Sequence, residues 1–215
     1  MSRKESVIVG IFLAFMVPLT LAVLGWWVTA VVYLYRLYSL REAAIANGAL
    51  LGFGAGILLT ILYLKSWIKR FYTVDLRFMV FVYLLWSFMM IAFFMGLPLG
   101  NVLLGVVAGI YFGRRMHHAG LEETLLKQGI SAAARFAAFV TGSLTLFVGI
   151  LSLFDPFASA SLESMLGLQR GTITRPLLIA VVFLATVVLV LLQYVLTRAA
   201  AAISASMGKD TGSSA

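Results

Sequence analysis

The residues in this sequence that come nearest to a reactive cluster are two histidines and two glutamates. His117 and His118 are followed by Glu122 and Glu123 in the run HHAGLEE. A divalent metal needs several converging nitrogen or oxygen donors, and His117, His118 and Glu122 are the candidates. Against that reading, Gly120 interrupts the helical register, and both imidazoles follow Arg114 and Arg115 at a basic membrane boundary. The cluster is therefore expected to be solvated and interfacial, with no metal bound. The chain has no cysteine, so disulfides, thiolate metal sites, iron–sulfur ligation and a catalytic thiol are all excluded. Axial haem ligation would need histidines inside apolar helices, and there are none. No cofactor is expected.

The apolar segments offer equally little for covalent or proton chemistry. Ser87, Ser143 and Ser152 have no histidine or lysine within the same segments to act as base. A coupled ion pump usually keeps an ionisable side chain in the membrane, and the middles of these segments hold no Asp, Glu, Lys or Arg. The expectation is that the protein is not an enzyme. What polar material remains is hydroxyl and amide: Thr20, Thr29, Thr60, Ser87, Asn101, Thr141, Ser143, Thr145 and Gln193. Most hydroxyls in such helices return a hydrogen bond to their own backbone and carry no further meaning. Asn101 stands apart, because an amide at a helix start beside Pro98 and Gly100 needs a partner. It is the candidate solute contact.

These residues are carried by a chain of 215 residues that is 62% hydrophobic and 11% charged. A soluble domain has about a quarter of its residues charged. The fold class is therefore all-α, a polytopic transmembrane helical bundle. Six spans are expected at about 7–35, 48–64, 78–95, 101–113, 135–154 and 177–196, making residues 1–197 one membrane domain and 198–215 a mobile cytoplasmic tail. The first segment is too long for a cleaved signal peptide, and it must tilt, emerge or bend at Pro18. The aromatic and methionine residues of the third, from Phe78 to Met95, suit a lipid face. Gly96 to Asn101 reads as a tight turn, and a short surface helix is expected at 161–168. Residues 120–134 read as a separate amphipathic helix on the cytoplasmic surface, with Leu121, Leu125 and Leu126 on its apolar side as a docking face for a partner.

With six spans, twelve of the 16 Lys and Arg residues fall on the side of the termini and four on the other. Basic loops mark the cytoplasmic side, so both termini are expected in the cytoplasm and the protein in the cell (inner) membrane. The formal charge of +8 is explained by this bias and implies no nucleic-acid partner.

Two segments echo each other: residues 50–57 read LLGFGAGI and residues 103–110 read LLGVVAGI. Gly48, Gly52 and Gly56 form one stripe of small residues, and Gly105, Gly109 and Gly113 another. Such stripes let helix backbones approach closely in lipid. The echo predicts that the second and fourth spans pack on each other at the bundle centre, or offer the glycines to a second copy or a membrane-complex partner. The functional expectation is a small-solute transport protein, or the membrane subunit of a transporter. The alternative is an accessory subunit of a membrane complex.

Overall fold

The computed structural model describes residues 1–94, 99–169 and 171–207, the side chain of Met165 excepted. All regular structure among them is helical: α1 (Arg3–Leu34), α2 (Ala43–Arg70) with a following 3₁₀ turn, α3 (Leu76–Phe93), α4 (Leu99–His118), α5 (Glu123–Phe154), α6 (Ala158–Leu166) and α7 (Arg175–Ser206). Five of these are long and apolar enough to cross a membrane, namely α1, α2 with its continuation, α3, α5 and α7. Large apolar side chains point outward along them; Leu51 is 75% exposed and Phe139 73%. Contiguous apolar surface on this scale fits a bilayer and not water. The protein is a multi-pass, all-helical membrane protein. The expected turn at Pro98, the loop residue Arg170 and the terminal segment 208–215 lie outside the described residues.

Local chemistry sets the helix ends. Ser2 and Glu5 form a reciprocal capping box at the start of α1. α1 then runs unbroken through Pro18, where the sequence suggested a bend. Gly120 (φ 62°) separates α4 from α5, and Gly167 (φ 66°) ends α6, both in the left-handed region that glycine enters without penalty. α6 occupies the place of the surface helix expected at 161–168 and begins three residues earlier. Its Glu163 is buried, and the carboxylate accepts a 2.7 Å hydrogen bond from the Ile173 amide. The surface helix expected at 120–134 does not end before the fifth span: α5 is a single helix of 32 residues. Ile130 on its early turns packs against Ala201 and Ala205 of α7, with Leu126 alongside, while Leu121 and Leu125 stay exposed. Part of the proposed docking face is thus used internally. α7 likewise continues to Ser206, past the Arg198 at which a tail was expected.

The chain forms two compact units, Met1–Val74 and Asp75–Ala215. In the first, α1 and α2 form an antiparallel pair built on glycine. A side chain at Gly52 would meet the Leu21 carbonyl, and one at Gly56 would meet the Pro18 backbone. At the loop end Gly25 faces Gly48, and the Thr29 hydroxyl donates to the Gly25 carbonyl at 2.7 Å. In the second unit α5 and α7 run antiparallel, with Gly142 against Val190 and Gly149 against Val182. α4 lies along α7 in the parallel sense, as Gly105, Gly109 and Gly113 meet successively later residues of α7.

The α1–α2 contact makes a sharp prediction. Gly52→Leu should lower stability by about 1–3 kcal/mol, because backbone cannot yield to the new side chain. Gly54, two residues on, has nothing within 4 Å of an added Cβ, so Gly54→Ala should be neutral or slightly stabilising. Thermal unfolding in detergent measures both; equal midpoints for Gly52→Leu and wild type would refute the close approach.

Candidate functional site

The two glycine stripes do not face each other, as the echo predicted. The α2 stripe is taken up by α1, and the α4 stripe by α7. Gly105 lies under the side-chain amide of Gln193 and beside Thr197. Gly109 rests on the Thr197 carbonyl and Ala200, and Gly113 on the Ala201 carbonyl and the Ser204 hydroxyl. The α7 partners repeat at the same interval as the glycines, so the larger side chains of one helix fill the gaps of the other. Each stripe is occupied within the chain, the α2 stripe inside the first unit and the α4 stripe inside the second. Arg114 secures the far end: its guanidinium donates to the Met207 carbonyl at 2.8 Å, meeting the unsatisfied carbonyl end of α7.

Around the start of this seam the second unit buries an unusual amount of polar material. Asn101, Gln193 and Thr141 have no solvent exposure, and they come from α4, α7 and α5. Gln193 Nε2 donates to Thr197 Oγ1 at 3.0 Å, while its Oε1 has no partner. Neither Asn101 Nδ2 nor Asn101 Oδ1 has a partner, nor does Thr141 Oγ1. Asn101 stands one helical turn before Gly105, on the face that meets Gln193. Tyr83 of α3 completes the set; its hydroxyl lies near Thr141 and Ser87 without a hydrogen bond of proper geometry. Trp86 and Met89, almost fully buried, belong to the same buried face of α3.

The remaining hydroxyls behave as ordinary helix residues. Thr20, Thr60, Ser87 and Thr145 each donate to the carbonyl four residues back, and Ser143 is exposed. Asn101, Thr141 and Gln193 are thus separated from the rest of the polar set by having buried, unpaired atoms. Tyr83 was missed, because the third segment read as a uniform lipid face. In fact Phe78, Phe81, Phe88 and Phe93 are exposed while Tyr83, Trp86 and Met89 are buried. The signal was the spacing of Tyr83, Trp86 and Ser87, three and four apart on one helical side.

At the far end of α4 the rings of His117 and His118 stand 5.7 Å apart in an edge-to-face arrangement. Among the described residues no group of three or more metal-ligating side chains forms, so Glu122 does not converge with them. Glu123 instead pairs with Lys127 at 2.7 Å on the exposed side of α5. Comparison with protein-family models, with curated proteins and with solved structures returns no match.

The arrangement can receive hydrogen bonds and donate them, and it carries no charge. Removing an unpaired hydroxyl should relieve its desolvation cost. Thr141→Val is expected to raise unfolding free energy by about 1 kcal/mol. Thr145→Val should lower it slightly, since the Thr145 hydroxyl does have an acceptor in the Thr141 carbonyl. Chemical denaturation of the two variants in detergent tests the pair; a loss of stability in Thr141→Val would mean that its hydroxyl is already satisfied.

Proposed function

We propose that this is a protein of the cytoplasmic (inner) membrane, with both termini in the cytoplasm, whose second unit binds or passes a small neutral solute that forms hydrogen bonds. The observation that carries the reading is the set of buried, unpaired amide and hydroxyl atoms of Asn101, Gln193, Thr141 and Tyr83. Lipid offers such groups nothing, and each orphaned atom costs about 1–3 kcal/mol. A solute bearing hydroxyl or amide groups would repay that cost, and an ion would find no countercharge. No catalytic step is proposed, for want of a nucleophile paired with a base.

The sidedness follows from charge. Lys65, Lys69 and Arg70 close α2, Arg114 and Arg115 close α4, and Arg135 of α5 and Arg198 of α7 are both within electrostatic reach of Tyr194. On this reading an even number of membrane crossings separates each of these from the N-terminus, and short basic loops stay in the cytoplasm. Because the chain lacks cysteine, a single introduced thiol reports its own side. Leu40→Cys in intact cells should react with a membrane-impermeant maleimide, and Lys69→Cys only after permeabilisation; the reverse pattern would invert the topology.

For the solute, liposomes containing the purified protein should swell faster in urea or glycerol than protein-free liposomes. Asn101→Leu, if it elutes as a folded species, should reduce that excess by at least half. Permeability equal to empty liposomes for both probes and for water would remove the transport reading and favour the accessory-subunit alternative.

A further inference from the structure

We propose that α3 ends and α4 begins near the middle of the bilayer, so that the pair enters and leaves by one face as a re-entrant hairpin, and that Asn101 is held at that depth. The hairpin rests on α5 and α7 crossing the membrane and stands whether or not a solute passes. Two planes bound the slab. On one side Arg198 of α7 lies over the Tyr194 ring, 5.9 Å from its centroid, and Arg135 of α5 is within electrostatic reach of the same tyrosine. On the other, α5 ends at Phe154 and Leu153 packs with Leu178 near the start of α7. Residues 136–154 between those planes span about 28 Å at ~1.5 Å per residue, close to the ~30 Å of a hydrocarbon core.

Against this ruler only part of each hairpin helix lies inside the slab. Tyr83 packs on Phe136, ring centroids 5.7 Å apart, just inside the basic plane. α3 ends at Phe93, about ten residues further, or ~15 Å. α4 gives a separate measure. Gly105 sits at Gln193 and Thr197, next to the Arg198 level, and α4 begins at Leu99, about six residues earlier, or ~9 Å further in. The end of α3 and the start of α4 thus both lie about halfway across, and helix tilt only shortens these depths. To cross fully, α4 would have to begin near Leu178.

The other end of α4 agrees. Gly113 meets Ala201 and Ser204, residues beyond Arg198, so the last part of α4 has left the slab beside the early turns of α5. That fits the polar close of α4, which ends in Arg114, Arg115, His117 and His118. The charge bias is blind to the difference. Arg77 and Arg114 share a side whether the pair crosses twice or turns back.

A depth measurement decides it. Nitroxide labels at Leu99→Cys, Val187→Cys and Phe154→Cys, all exposed positions, can be compared in lipid nanodiscs through their accessibility to oxygen and to a nickel chelate. The hairpin requires the Leu99 label to read within about 5 Å of the Val187 depth, far from the Phe154 label at the rim. A Leu99 label at the rim depth, or one as open to the chelate as Phe154, overturns the proposal. Because that readout involves no solute, a failed permeability assay and a failed hairpin would be told apart.

Discussion

The second unit depends on how closely α4 can approach α7. In lipid two apolar helices gain nothing by burying apolar surface, so their association rests on close van der Waals contact and on hydrogen bonds. Gly105, Gly109 and Gly113 remove the side chains that would hold the helices apart, and the Thr197 and Ala201 carbonyls fill the space. Once the backbones are that close, the Gln193 amide has room only across Gly105, and Asn101 is buried one turn away. The polar centre is therefore a consequence of the seam. The first unit uses the same device, with Pro18 and Leu21 of α1 seated on Gly56 and Gly52.

Class and helix positions were readable because hydropathy and charge are local properties of sequence. Partner choice was not. The echo between residues 50–57 and 103–110 suggested that like packs on like, yet a glycine stripe is a groove and needs a ridge. The ridge on α7 was visible as Gln193, Thr197, Ala201 and Ala205 at four-residue spacing, but without an echo to draw attention to it. The burial of Tyr83 was hidden for a different reason: a segment hydrophobic on all sides has a weak periodicity, and one polar atom on a tyrosine scarcely alters it. Asn101 was singled out as an amide at a helix start beside Pro98 and Gly100, and it is fully buried. Gln193 was not, because the sequence could not show that its Oε1 lacks a partner.

The unpaired atoms need an explanation beyond packing. Native proteins are stable by only about 5–15 kcal/mol, and several orphaned polar atoms consume a notable share of that. A helix seam built only for adhesion has a cheaper solution in hand, which this chain uses elsewhere: Thr60 and Ser87 return their hydrogen bonds to the backbone. Asn101 and Thr141 do not, and replacement by Leu and Val would cost little in shape. Their unpaired atoms at zero exposure are the ground on which a solute site is proposed.

The depth of α4 supplies a physical reason for an amide at its start. The first turn of any helix leaves backbone N–H groups without intrahelical acceptors, and hydrocarbon cannot provide them. At a membrane surface water would serve. Near the middle of the bilayer the acceptors must come from the protein or from a bound molecule, and Asn101 and Gln193 each hold an unpaired carbonyl oxygen at this end of α4. A helix start carries partial positive charge, which attracts oxygen acceptors and repels cations. The proposed half-depth start of α4, its orphaned amides and the proposed neutral solute then form one consistent reading.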